Sequence, residues 1–119
     1  MLWYGWRICF GVPADFENKE EIAKQCLEVA NAAHFPTDYK DVYDHLFGNE
    51  DYTICLAFDE DGSLDGFSVF AKLRDISTLY LHGVVLHPRA QGKGLSLMMI
   101  QTVFGSDNLT FISARTHNP

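Results

Sequence analysis

The run Thr78 to Leu86 is apolar on both of its alternating faces, with Leu79, Leu81 and Val85 on one and Tyr80, Val84 and Leu86 on the other. A strand of that pattern belongs inside a sheet, with cover on each side. The residues after it narrow the choice further. The strand stops at Pro88, the segment Gln91-Gly92-Lys93-Gly94 comes next, and Leu95 to Phe104 is apolar nearly all round until Gly105 ends it, as expected of a buried helix. A buried strand leading through a glycine turn into a buried helix requires further strands beside it and helices outside it.

The rest of the chain supplies them. Trp3 to Phe10 mixes aromatic and β-favouring residues and closes at Gly11-Val12-Pro13, which predicts a first strand. A helix is expected from its cap at Asn18 through Ile22, Cys26, Ala30 and Ala33, stopping before Pro36. A second runs from about Thr37 or Asp38 to Phe47 on the stripe Tyr39, Val42, Tyr43, Leu46 and Phe47, with Gly48 as its exit. Tyr52 to Phe58 and Leu64 to Lys72 flank a loop containing Asp61-Gly62 and form a hairpin. Leu109 to Ser113 reads as a last strand. The expected fold is α/β (α+β), a mixed central sheet in the order β-α-α-β-β-β-α-β. Residues 1–119 form one domain, since a chain of this length builds a single core.

Charge and composition exclude several functions. Residues 1–75 hold 15 acidic against 6 basic side chains, whereas residues 76–119 hold one against three. An acidic bulk surface argues against nucleic acid as partner, because duplex binding needs many basic contacts to phosphate. A local positive patch still suits a small anion. No apolar run approaches the ~20 residues that cross a bilayer, so no membrane partner is expected. Met1 to Phe10 lacks the ordered regions of a secretory signal. Cys9, Cys26 and Cys55 are an odd number with no CxxC pair and no histidine at zinc spacing, which fits reduced thiols in the cytoplasm and no metal.

The chemistry concentrates where the glycine turn meets the apolar helix. Glycines allow close approach of backbone to ligand, and the amides of a first helical turn carry partial positive charge, which favours phosphate. A Walker loop fails here, because His87 stands where its first Gly belongs and Gly94 where Ser or Thr would hold magnesium. A dinucleotide fingerprint fails because Leu97 occupies the third small position.

Gln91, Gly94 and Ser96 instead match the pattern Arg or Gln, two residues, Gly, one residue, Gly or Ala, with Ser96 a small departure at the last position. On these residues, on Pro88 three positions earlier, and on the order of elements over essentially the whole chain, the sequence resembles the GNAT acetyltransferases. The resemblance implies the acyl-CoA N-acyltransferase fold and transfer of an acetyl group from acetyl-CoA, as co-substrate, to a primary amine of a small molecule or protein. It implies that the turn opening at Gln91 binds the coenzyme pyrophosphate through the amides of Gly92, Lys93, Gly94, Leu95 and Ser96. The main chain of Val84, Val85 and Leu86 would pair with pantetheine like an added strand, and Asn118 would be a further coenzyme contact.

In that family a helix bearing a tyrosine acid, then two strands, come after strand five. This chain stops at His117-Asn118-Pro119, so the resemblance implies a fold truncated after that strand and leaves the acid unnamed. An apolar strand Leu109 to Ser113 with an open edge is expected to recruit a second copy. His82 lies near where many members carry an acidic residue and is the candidate general base, with an ordinary pKa of about 6.5; a half-buried histidine satisfied by a carbonyl or water fits the same position. His34, His45, His87 and His117 have no stronger claim, and His82 and His87, five apart on a strand, face opposite sides. Asp38, Asp41, Asp44, Glu50 and Asp51 would border the acceptor and attract a cationic amine, or form a solvated helix face. The alternative reading is a non-catalytic acyl-CoA-binding or interaction module of the same fold.

Overall fold

The computed structural model describes residues 2, 3 and 5–114. Strands β1 (Leu2–Trp3) and β2 (Trp6–Gly11) form a hairpin in which Trp3 pairs with Trp6. The strand expected over Trp3 to Phe10 therefore folds back on itself. Gly5 makes this possible at φ +93°, a left-handed backbone that tight reversals need and that glycine adopts without penalty.

Two helices come next, α1 (Lys19–Ala32) and α2 (Tyr39–Phe47). Asn18 precedes α1 but its side chain makes no cap bond. Asp38 does cap α2, its Oδ1 accepting the Asp41 amide at 2.8 Å. Strands β3 (Thr53–Phe58), β4 (Leu64–Leu73), β5 (Thr78–Leu86) and β6 (Phe111–Ala114) complete a six-stranded sheet in chain order. Neighbours from β1 to β5 are antiparallel, while β6 lies parallel to β5 after the crossover through α3 (Leu95–Phe104). β6 begins at Phe111 rather than Leu109, because Leu109 is buried in the core and the Thr110 and Phe111 amides are held by the Ser77 carbonyl.

Helices cover both faces of this mixed sheet, the α/β (α+β) architecture read from the sequence. On one face Cys26, Val29 and Leu46 of α1 and α2 pack on Ile54, Leu56 and Val69. On the other, Leu95, Met99 and Val103 of α3 pack on Cys55, Phe70 and Leu79. These three recur at four-residue spacing, so α3 buries one stripe, and Leu97 on the outer side is 56% exposed. β5 is fully buried only at Thr78 and Leu79. From Tyr80 onward its cover thins, and that thinning creates the site.

Candidate active site

The turn between β5 and α3 is anchored from beneath. Asp65 of β4, 4% exposed, accepts Trp6 Nε1 at 2.8 Å and Arg89 Nε at 2.6 Å. Its carbonyl also accepts the His87 amide at 2.7 Å. Gln91 Nε2 donates to the Leu86 carbonyl at 3.1 Å, holding the end of β5 against the turn. Arg89 and Gln91, the polar side chains that flank the glycines upstream, are thus turned toward the protein.

Beyond Gln91 the backbone opens. Gly92 and Gly94 have φ +75° and +81°, and a Cβ added at Gly92 would meet nothing within 4 Å. Gly94 precedes α3 with no side-chain cap, and the first helical bond runs from the Met98 amide to the Gly94 carbonyl at 3.1 Å. The amides of Leu95, Ser96 and Leu97 precede that bond and have no partner within the helix. Gln91, Gly92, Lys93 and Gly94 are exposed, Ser96 is half-buried, and Leu95 is buried in the core. Gln91 to Gly94 thus form an exposed turn that leads into the buried start of α3.

The edge of β5 leads to this turn. In the described residues, which end at Ala114 opposite Leu81, β6 pairs with it from Thr78 to Leu81, and β5 continues to Leu86. On its other side, register with β4 passes from Val69↔Gly83 to Phe70↔Leu81, leaving His82 as the extra residue of a β-bulge. A bulge re-aims its side chain relative to the alternation of the strand. The His82 ring stacks on Tyr52 at 4.5 Å between centroids and meets Tyr80 edge-on at 4.7 Å. Burial, and secondarily the nearby His45, push the His82 pKa below its ordinary value.

His82 also lines a cleft of about 500 Å³ together with Gly83, Val84 and Val85. The opposite wall comes from the α1–α2 connection and from Asp41, Val42 and His45 of α2. His45 Nε2 would lie 3.7 Å from a Cβ on Gly83, so this glycine floors the cleft directly beneath the imidazole. Desolvation lowers the His45 pKa. Of the carboxylates expected to rim the acceptor, only Asp41 lines this cleft; Asp38 is occupied as a cap. Asn118 and His117 lie outside the described residues.

Sequence reasoning missed two residues. His45 carried a signal in its spacing of one helical turn from Asp41, but only tertiary structure sets that face against β5. Asp65 stood out as a carboxylate inside an apolar strand, an anomaly that points to a buried partner.

β5 runs into a helix start without a side-chain cap, beside a cleft whose other wall comes from α1, α2 and their connection. The acetyltransferase (GNAT) family model matches residues 17–105, and the chain belongs to that family. Among solved structures it is similar to an aminoglycoside acetyltransferase from an uncultured soil metagenomic sample, in complex with sisomicin: TM-score 0.68, 11% identity, covering 97% of this chain and 80% of that one. It is also similar to a ribosomal-protein-alanine N-acetyltransferase from Brucella melitensis biovar Abortus 2308, with TM-score 0.67, 18% identity and coverage of 95% and 81%. A third is the ribosomal-protein-S18-alanine N-acetyltransferase from Escherichia coli, with TM-score 0.62, 15% identity and coverage of 84% and 59%. At these identities the likeness concerns the fold. No curated protein matches the chain.

Proposed function

We propose that this protein is an N-acetyltransferase that moves an acetyl group from acetyl-CoA to a primary amine, with residues 1–119 acting as one domain in the cytoplasm. Family membership supports acyltransferase chemistry in general. One observation carries the finer reading: the amides at the start of α3 have no side-chain cap and follow an exposed glycine turn directly after β5.

The amides of Gly92, Lys93, Gly94, Leu95 and Ser96 suit the coenzyme pyrophosphate, since the helix start concentrates partial positive charge there. Lys93 adds a full charge. Gln91 holds the turn from behind through Leu86. The main chain of Val84, Val85 and Leu86 suits pantetheine, whose amides extend the sheet as a strand would. The bound thioester supplies the electrophilic carbonyl. His82, with its lowered pKa, is neutral at pH 7 and takes the proton that the acceptor ammonium loses. The freed nitrogen attacks, a C–N bond forms, the C–S bond breaks, and the sulfur leaves with the bonding pair as thiolate, which takes up the proton that the acylated nitrogen gives off. The protein's contribution is position and electrostatics.

Thermal unfolding with acetyl-CoA and with free CoA tests the binding half. A native-state ligand at 100 times its Kd adds about 2.7 kcal/mol of stability, so the midpoint rises several degrees. No rise at millimolar acetyl-CoA would sink the reading. Amine-dependent release of free thiol tests the catalytic half; coenzyme binding without release would make this a non-catalytic acyl-CoA-binding module.

A further inference from the structure

The cleft against β5 has an uneven chemistry that speaks to the acceptor. Asp41 is the sole carboxylate among the described residues lining it. Around it the wall is apolar, with Phe35 and Pro36 from the α1–α2 connection, Val42 of α2, Phe67 of β4 and Val85 of β5. His45 sits one turn beyond Asp41, its pKa lowered by desolvation rather than raised as it would be beside a strong counter-charge. The remaining carboxylates of this region are directed elsewhere, Asp38 to the start of its own helix and Asp44 outside the lining. One negative position in an apolar wall matches one ammonium on an apolar body. A second ammonium placed toward Phe67, which is buried, would lose hydration with no further carboxylate among the described lining residues, which is costly.

We infer that the acceptor is a monoamine, whose single ammonium meets Asp41 while an aromatic or aliphatic body fills the cleft, and that polycationic amines are excluded. This acceptor class rests on the acetyl-transfer reading of the same site. Its recognition element is a residue of α2, distant in sequence from the coenzyme turn.

Titration calorimetry of 2-phenylethylamine and of spermine into the CoA-saturated chain tests it, using the wild type, Asp41→Asn and Asp44→Asn. Circular dichroism verifies that each variant keeps its helices. Asp41→Asn is expected to weaken 2-phenylethylamine about fivefold, Asp44→Asn to leave it unchanged, and spermine to bind no more tightly than 2-phenylethylamine. Equal losses in both variants would reduce the effect to general charge and overturn the inference. So would no loss in Asp41→Asn, tighter binding of spermine, or no binding of 2-phenylethylamine. The two readings fail separately: 2-phenylethylamine held at Asp41 with no thiol release defeats the catalytic reading alone, whereas thiol release driven best by spermine defeats the monoamine inference alone.

Discussion

Asp65 joins three parts of the molecule that are far apart in sequence, binding Trp6 of β2 and Arg89 of the β5–α3 turn through one buried carboxylate. Removing it leaves an indole N–H without its partner and frees the guanidinium that braces the turn. Asp65→Ala is expected to destabilise by about 2–4 kcal/mol, below the upper range for fully buried pairs because Arg89 is half exposed. Urea unfolding measures it, and a loss under about 0.5 kcal/mol would show the contact idle. Gly92 offers a cleaner test of the turn. Its backbone is left-handed and the space above it open, so Gly92→Ala costs about 1–2 kcal/mol from φ alone. Any loss of CoA affinity beyond that reflects ligand seated over the glycine. His82 should impose an acid limb on kcat/KM: activity falls as pH drops through a value under the ordinary 6.5, because protonated imidazole accepts nothing. His82→Gln should abolish that limb, and an unchanged profile would remove His82 from the base role. The glycines were legible in the sequence because few other residues serve such a turn. The bulge at His82 was not, since it depends on register with β4 and leaves no trace in the periodicity of β5.

The caps of α1 and α2 show how far local signals reach. Asn18 and Asp38 look equivalent in sequence, yet only Asp38 bonds an amide of its helix, at 2.8 Å. Asp38→Ala is expected to cost about 1 kcal/mol and Asn18→Ala a few tenths at most, read from urea midpoints. The apolar stripes that defined both helices were legible because burial of one face dictates them; the cap depends on backbone angles at the entering residue. The connection from α3 to β6 is fastened by Asp107, which takes Arg74 at 3.0 Å and Lys72 at 3.1 Å. The Arg74 bond, then the Asn108 amide and the Lys72 bond, hold its carboxyl well below the usual range. The unfolded chain then binds this proton more readily than the folded one, so the contribution is full above about pH 4 and is lost as pH falls below it. Asp107→Asn should flatten the acid limb of stability, and an unaltered limb would show the pairs to be inert.

At the scale of the whole molecule, large apolar side chains stand exposed at several places, among them Phe35, Leu97 and the β6 pair Phe111 and Ile112. Phe111 is 61% and Ile112 47% exposed, and Ile76, just before β5, is 61% exposed. Exposed apolar residues on an outer strand favour association. Scattering at micromolar concentration is expected to report species larger than the 13.5 kDa monomer, and Ile112→Lys to restore the monomer. A compact monomer in the wild type would overturn this expectation. The order of the helices and of the strands from β3 onward was legible, since strand and helix periods differ; the reversal at Gly5 was not, because Gly5 stands as a single residue inside an aromatic run.

The order of the strands bears on how the protein assembles. Strands β3, β4 and β5 follow one another through short connections, so their contacts close small loops and form early. β2 and β6 each meet this core across helices, β2 over α1 and α2 and β6 over α3. Amides of the three central strands should therefore exchange last. The cleft wall that β4 and β5 supply belongs to the part of the sheet that sets first, so the helical wall opposite closes on a surface already in place.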